Sequence, residues 1–250
     1  MSHTEGRIGV PVFLETGQVF DELTHRRAEE IVGRYPVARS ALLPLLHLVQ
    51  SVEGCVSQPG IDFCAEQLDL TAAEVSAVAT FYTMYKRRPC GEHLVSVCTN
   101  TLCAALGGDA IYSTLSAHLG VGHEETTGEP AEAGAPGTIT LEHAECLAAC
   151  DLAPVLQVDY EYFDEQTPDS ALDLVLALQA GGSPTPTRGP ALRNFRTAEL
   201  EIAGIFPDAD ERVAGPSLAE PTVRGVRDAE RTGQHAPPGD DVPIPPLPEK

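Results

Sequence analysis

Four cysteines in two tight pairs, Cys98 with Cys103 and Cys146 with Cys150, carry the metal-ligand spacing of this chain. C-x4-C followed by C-x3-C fits a four-thiolate iron-sulfur site, which makes electron transfer the first chemistry to consider. Such a cluster keeps a net negative charge, so it needs cysteines that deprotonate and loops that aim backbone N–H groups at sulfur. Cys98-Thr-Asn-Thr-Leu-Cys103, with Ala-Ala-Leu-Gly-Gly-Asp109 after it, reads as a strand ending in a polar turn, Asp109 serving as N-cap of the next helix. Glu145-Cys-Leu-Ala-Ala-Cys-Asp-Leu-Ala-Pro154 leaves one strand and enters another through a Pro-bounded loop. Both pairs are therefore expected at strand ends, where loops converge on one object.

Other uses of the cysteines fit less well. A structural zinc site more often shows C-x2-C knuckles, and none occurs here. Against disulfides stand the odd count of seven cysteines, an N-terminus unlike a secretory signal, and a 250-residue length that can bury a core without staples. Cys55, Cys64 and Cys90 lack partners at ligand spacing and read as core residues. His93 and His143 precede cluster cysteines by five and three residues, and a Rieske-type centre would use two histidines, but four paired cysteines make them unnecessary. His47, in Leu-Leu-His-Leu-Val, reads as a satisfied packing residue.

The elements that must position these residues fall into four stretches. Residues 1–20 read as a loosely held arm and 21–90 as a helical docking region. There, Arg27 to Arg34 is an amphipathic stretch ended by Tyr35-Pro36, and Ser40 caps a helix that Gly54 closes. Thr71-Ala-Ala-Glu74 is a capping box opening a helix to Tyr85, whose aromatic group Phe81, Tyr82 and Tyr85 is expected to pack on a neighbouring domain. Residues 91–182 change period: strand His93 to Val97, helix Ala110 to Leu119, strand Thr138 to Glu142, one or two strands from Val155 to Tyr162, and helix Ser170 to Ala180. This β-α-β-β-α order is the minimal core of a thioredoxin-like α/β domain. Gly120 to Gly137 reads as a mobile surface excursion. Residues 183–250, with 12 of the 21 prolines, read as an extended tail without a core of its own, its basic run Arg188 to Arg196 suited to an acidic partner.

Composition limits the partners. A hydrophobic content of 42% with mean hydropathy −0.08 describes a soluble globular protein, and the longest apolar run, Leu42 to Val49, is too short to span a bilayer. The formal charge of −21 argues against a nucleic-acid or anionic-membrane surface. Arginine supplies most of the positive charge, Lys86 and Lys250 being the only lysines.

Four runs carry a resemblance over residues 25–180: Ala41-Leu-Leu-Pro-Leu-Leu-His47, Glu74-Val-Ser-Ala-Val-Ala-Thr-Phe-Tyr-Thr-Met84, Val97-Cys-Thr-Asn-Thr-Leu-Cys-Ala-Ala-Leu-Gly-Gly108 and Glu145-Cys-Leu-Ala-Ala-Cys-Asp-Leu-Ala-Pro-Val155. On these the chain resembles the 24 kDa-type (E-type) subunits of bacterial NADH:quinone oxidoreductase, respiratory complex I. The resemblance implies a helical N-terminal part and a thioredoxin-like domain holding one [2Fe-2S] cluster on Cys98, Cys103, Cys146 and Cys150. It also implies docking on a flavin-bearing subunit that binds FMN and NADH, in a peripheral arm on the cytoplasmic side of the membrane. No G-x-G-x-x-G opens a βαβ unit here, so no NADH or flavin site is expected in this chain, and hydride chemistry would belong to the partner's flavin. Two other readings stay open: the equivalent diaphorase subunit of an NAD-linked hydrogenase or formate dehydrogenase, and a free thioredoxin-like ferredoxin, for which the helical region and tail would be superfluous.

Overall fold

The structure, a computed structural model, describes residues 13–129, 132–207 and 220–235. Its N-terminal part is built by caps. Asp21 accepts the Thr24 N–H to open α1 (Glu22–Gly33), Ser57 accepts the Gly60 N–H to open α3 (Gln58–Leu68), and the Thr71/Glu74 capping box opens α4 (Ala72–Phe81). Between α1 and α3, α2 (Leu42–Glu53) is entered through a 3-10 turn, Ala38–Ala41, so Ser40 is not its cap; Gly54 closes it at φ +79°. Pro59, which sits in the first turn of α3, conceals that helix from a periodicity reading. Leu45, Leu46, Leu48, Val49, Ile61 and Val75 make the core of this part.

Two expectations for this region need correction. The arm is held from residue 13 onward: Phe13 and Phe20 are buried in the helical core, Phe20 with its ring 4.5 Å from that of Phe63. Residues 1–12 lie outside the described chain. Helix α4 stops at Phe81, because Tyr82 is extended, and this splits the aromatic group. Tyr85 turns inward, packs on His47 at 4.9 Å and donates to the Leu43 carbonyl at 3.0 Å, whereas Phe81 is 77% exposed.

The caps allow a test. Hydrogen bonds from Thr24 hold the Asp21 carboxyl below its usual range, and those from Thr71 and Arg39 do the same for Glu74. A lowered folded pKa gives stability that is present above the unfolded value near 4 and lost as pH falls through the folded one. Thr71→Ala should cost about 1 kcal/mol near neutral pH. In thermal melts that deficit should shrink with acidification, and a deficit that grew in acid would contradict the cap.

The second part is a five-stranded sheet in the order β2-β3-β1-β4-β5. Central β1 (His93–Cys98) runs parallel to β3 (Ile139–Ala144) and antiparallel to β4 (Leu156–Val158), with β2 (Glu125–Thr126) and β5 (Glu161–Phe163) at the edges. Between β1 and β3 come α5 (Thr101–Leu106) and α6 (Gly108–Leu119), and α7 (Pro168–Gln179) follows β5. Alternation divides β1 between two faces. Val95 and Val97, with Ile139, Leu141, Leu156 and Val158, pack on Ile111 and Leu115 of α6 and on Ala171, Val175 and Leu178 of α7. The opposite face carries the buried polar residues Ser96, Thr140 and Gln157. The stretch from Gly120 to Gly137 is not wholly an excursion, because Glu125–Thr126 pairs with Thr140 and Leu141.

The tail is the largest correction. Asn194 caps α8 (Phe195–Ile202), which packs on α2. Phe195 is fully buried against Cys90 and Leu94, and the fully buried Glu199 receives Tyr160 Oη at 2.5 Å and meets His47 Nδ1 at 2.6 Å. The basic run finds its acidic partner within the chain. Arg188 forks onto Asp164 at 2.9 and 2.5 Å, and Arg196 donates to the carbonyls of Val52 and Glu53. Proline density averaged over 183–250 hides a short capped helix whose Phe195, Ala198 and Glu199 share one face. Beyond Pro216 a separate unit contains α9 (Glu220–Thr232), and residues 208–219 and 236–250 lie outside the described chain.

Candidate metal centre

β1 ends at Cys98, where the Cys98 N–H reaches the Val155 carbonyl and the Thr99 N–H reaches the Ala144 carbonyl. The Asn100 side chain then accepts the Thr101 N–H and starts α5, whose single buried residue is Cys103. Asp109 is therefore not the N-cap. It lies in the first turn of α6, whose N-cap is Gly107, a residue at φ +118° that is also the C-cap of α5. The neighbouring Gly108 is demanded by close approach, since a Cβ there would lie 2.4 Å from the Cys98 carbonyl oxygen and 3.0 Å from that of Cys103. Gly108→Ala should displace both cysteines. We expect it to lower iron content on reconstitution while the far-ultraviolet spectrum stays near that of the parent, and full retention of iron would refute this account of the loop.

The second pair lies in the loop from β3 to β4. Ala148 takes a left-handed φ of +59°, and Cys150 opens a 3-10 turn, Cys150–Leu152. Tyr162 Oη donates to the Leu147 carbonyl at 2.7 Å, while Arg188 stacks over the Tyr162 ring at 5.2 Å and approaches Asp151 at 3.6 Å. Tyr162 and Arg188 hold this loop in place, and sequence spacing did not point to either.

Cys98 and Cys103 are each 2% exposed, whereas Cys146 and Cys150 are exposed. Cys98 and Cys103 share one small buried cluster with Ala149 and Val155 from the second loop. Burial pushes the Cys103 thiol up to about 11, opposed by the Val155 N–H, with Cys98 and Cys150 adding to the rise. Cys150 is raised by its hydrogen bond and charge interaction with Cys146. The Cys146 and Cys150 sulfurs lie 3.6 Å apart. Two thiolates on one tetrahedral ion with bonds of about 2.3 Å should be separated by about 3.8 Å, so this pair is spaced closely enough to share one metal. Among the described residues no three His, Cys, Asp or Glu converge on a single point. An arrangement in pairs suits a binuclear cluster, which takes two thiolates at each iron.

The remaining candidates have partners or surroundings of their own. Cys55, Cys64 and Cys90 are buried, and burial raises all three thiols, Cys55 to about 12. His93 begins β1, at the end opposite Cys98, and its Nδ1 meets Asp159 at 2.5 Å. His143 stacks on His123 with ring centroids 4.0 Å apart.

A model of the thioredoxin-like [2Fe-2S] ferredoxin family matches residues 28–179, a span that contains all four cysteines and both loops. The chain belongs to that family. Within it, the chain is 54% identical over 213 residues to the E subunit of NADH-quinone oxidoreductase from Mycobacterium tuberculosis (strain ATCC 25618 / H37Rv), covering 84% of this chain and 81% of the relative. The protein of the same name from Rickettsia conorii is 36% identical over 167 residues, 66% of this chain and 96% of the relative. A solved NAD+-reducing [NiFe]-hydrogenase superposes with TM-score 0.46 and 17% identity over 54% of this chain and 22% of its own. Among the described residues of this [2Fe-2S] family member, no helix is long and apolar enough to cross a membrane.

Proposed function

We propose that this chain is the electron-transfer subunit of an NADH:quinone oxidoreductase, with Cys98, Cys103, Cys146 and Cys150 holding one [2Fe-2S] cluster beside a flavin-bearing, NADH-binding partner. One observation carries the reading: two thiol pairs meet at one end of the sheet, in a chain 54% identical along most of its length to proteins named as the E subunit of that enzyme. Bound there, the cluster supplies a one-electron carrier. Cys98 and Cys103 hold their side of the site away from water, the Val155 N–H is aimed at Cys103, and Tyr162 with Arg188 fixes the loop bearing Cys146 and Cys150. The exposed pair faces outward, as exchange with a partner's FMN requires. Exposed Phe81, Tyr82 and Met84 offer an apolar edge for docking, and the complex would place this subunit peripherally on the cytoplasmic side.

The test is affinity purification from native cells in mild detergent, combined with iron and acid-labile sulfide assays. A flavoprotein should accompany the chain, which should contain about two irons and two sulfides and become paramagnetic on reduction. Recovery of the chain alone, with stoichiometric zinc and no iron under cluster-assembling conditions, would refute the assignment.

A further inference from the structure

The polar face of the sheet holds a charge pair, largely removed from water, that the proposed ligands do not use. Lys86, one of two lysines in the chain, is 5% exposed. Its ammonium donates to the Thr83 carbonyl at 2.8 Å and pairs with one oxygen of Glu142, whose other oxygen accepts from Ser96 Oγ at 2.6 Å. Ser96 and Glu142 face each other in the β1/β3 register, two residues before Cys98 and Ala144, which also face each other. Residues two apart share a sheet face and are about 7 Å apart along the strand. Lys86, Ser96, Glu142 and Cys146 also line one cavity of about 520 Å³.

We propose that the Lys86–Glu142–Ser96 bridge sets the reduction potential at the four-cysteine centre, Lys86 raising it and Glu142 lowering it; this rests on the ligand assignment above. Reduction adds one negative charge, so a nearby cation favours the reduced form and a nearby anion the oxidised form. Lys86 and Glu142 are largely removed from water, where salt screens poorly. Arg87, Arg88, His123, Glu124, His143 and Glu145 lie along the same region but are exposed and screened. At an effective dielectric near 20, a unit charge about 10 Å away shifts the oxidised-to-reduced ratio on the order of tenfold. Packing alone gives a buried ion pair little reason to exist, because an apolar pair of similar volume is often as stable. A role acting through the potential predicts opposite effects for the two charges. A merely structural role does not.

The experiment is an electron-paramagnetic-resonance redox titration of the reconstituted full chain and of Lys86→Met, Glu142→Gln and the double variant, at one pH and at low and high salt. Lys86→Met should disfavour reduction about tenfold, a midpoint lowered by about 59 mV for one electron. Glu142→Gln should raise the midpoint by a similar amount, the double variant should fall near the parent, and high salt should leave the shifts in place. Shifts of the same sign, or midpoints that do not move, overturn the proposal. Should Lys86→Met fail to fold with Glu142 unpaired, Glu142→Gln and the double variant still decide it. A parent protein without a [2Fe-2S] signal would instead overturn the ligand assignment, and this proposal with it.

Discussion

Serine at Cys98, Cys103, Cys146 or Cys150 is expected to remove or strongly destabilise the cluster, taking iron from about two per chain to below one on reconstitution. Serine at Cys55, Cys64 or Cys90 should leave the cluster in place. A hydroxyl is a far poorer donor to iron than a thiolate at neutral pH. The three other cysteines are buried outside the cluster that Cys98 and Cys103 share with the second loop. The four positions should not respond identically. At Cys98 and Cys103 the serine hydroxyl would replace a buried sulfur, adding a cost to the fold, while at exposed Cys146 and Cys150 only cluster retention should suffer. Iron and sulfide assays beside thermal melts of the apoprotein separate these outcomes. Loss of iron on changing Cys90, with Cys103 dispensable, would mean that the wrong quartet has been chosen.

The second large effect concerns the segment after the sheet domain. Phe195→Ala should cost about 3–5 kcal/mol, since the ring is fully buried between Cys90, Leu94 and Tyr160. Truncation after Gly182 should be worse. It removes that ring, the Arg188 fork on Asp164 and the Glu199 carboxylate, leaving Tyr160 and His47 without the buried partner they now share. Against a typical domain stability of about 5–15 kcal/mol, such a chain should be partly unfolded or aggregate. Truncation after residue 207 keeps all of these contacts and should melt well above truncation after Gly182. This reverses what proline content suggests, namely that everything beyond Gly182 is dispensable to the fold. Equal melting temperatures for the two truncations would show that α8 contributes nothing.

The separation between what sequence and tertiary structure decide follows from range. Cys98-x4-Cys103 and Cys146-x3-Cys150, the Thr71/Glu74 box and the alternation of β1 were legible because each is a local pattern in which ligand spacing, a cap or a period of two repeats within a few residues. Where reading failed nearby, as at Asp109 and Ser40, a positive-φ glycine or a 3-10 turn supplied the helix start instead of a side chain. The tertiary structure decided what stands beside what. Arg188 on the Tyr162 ring, Glu199 between His47 and Tyr160, and Lys86 on Glu142 join residues from 26 to 152 positions apart. A charge looks the same in sequence whether it is solvated or paired in the interior, and only the packed fold, which removes water from one of these settings, tells them apart.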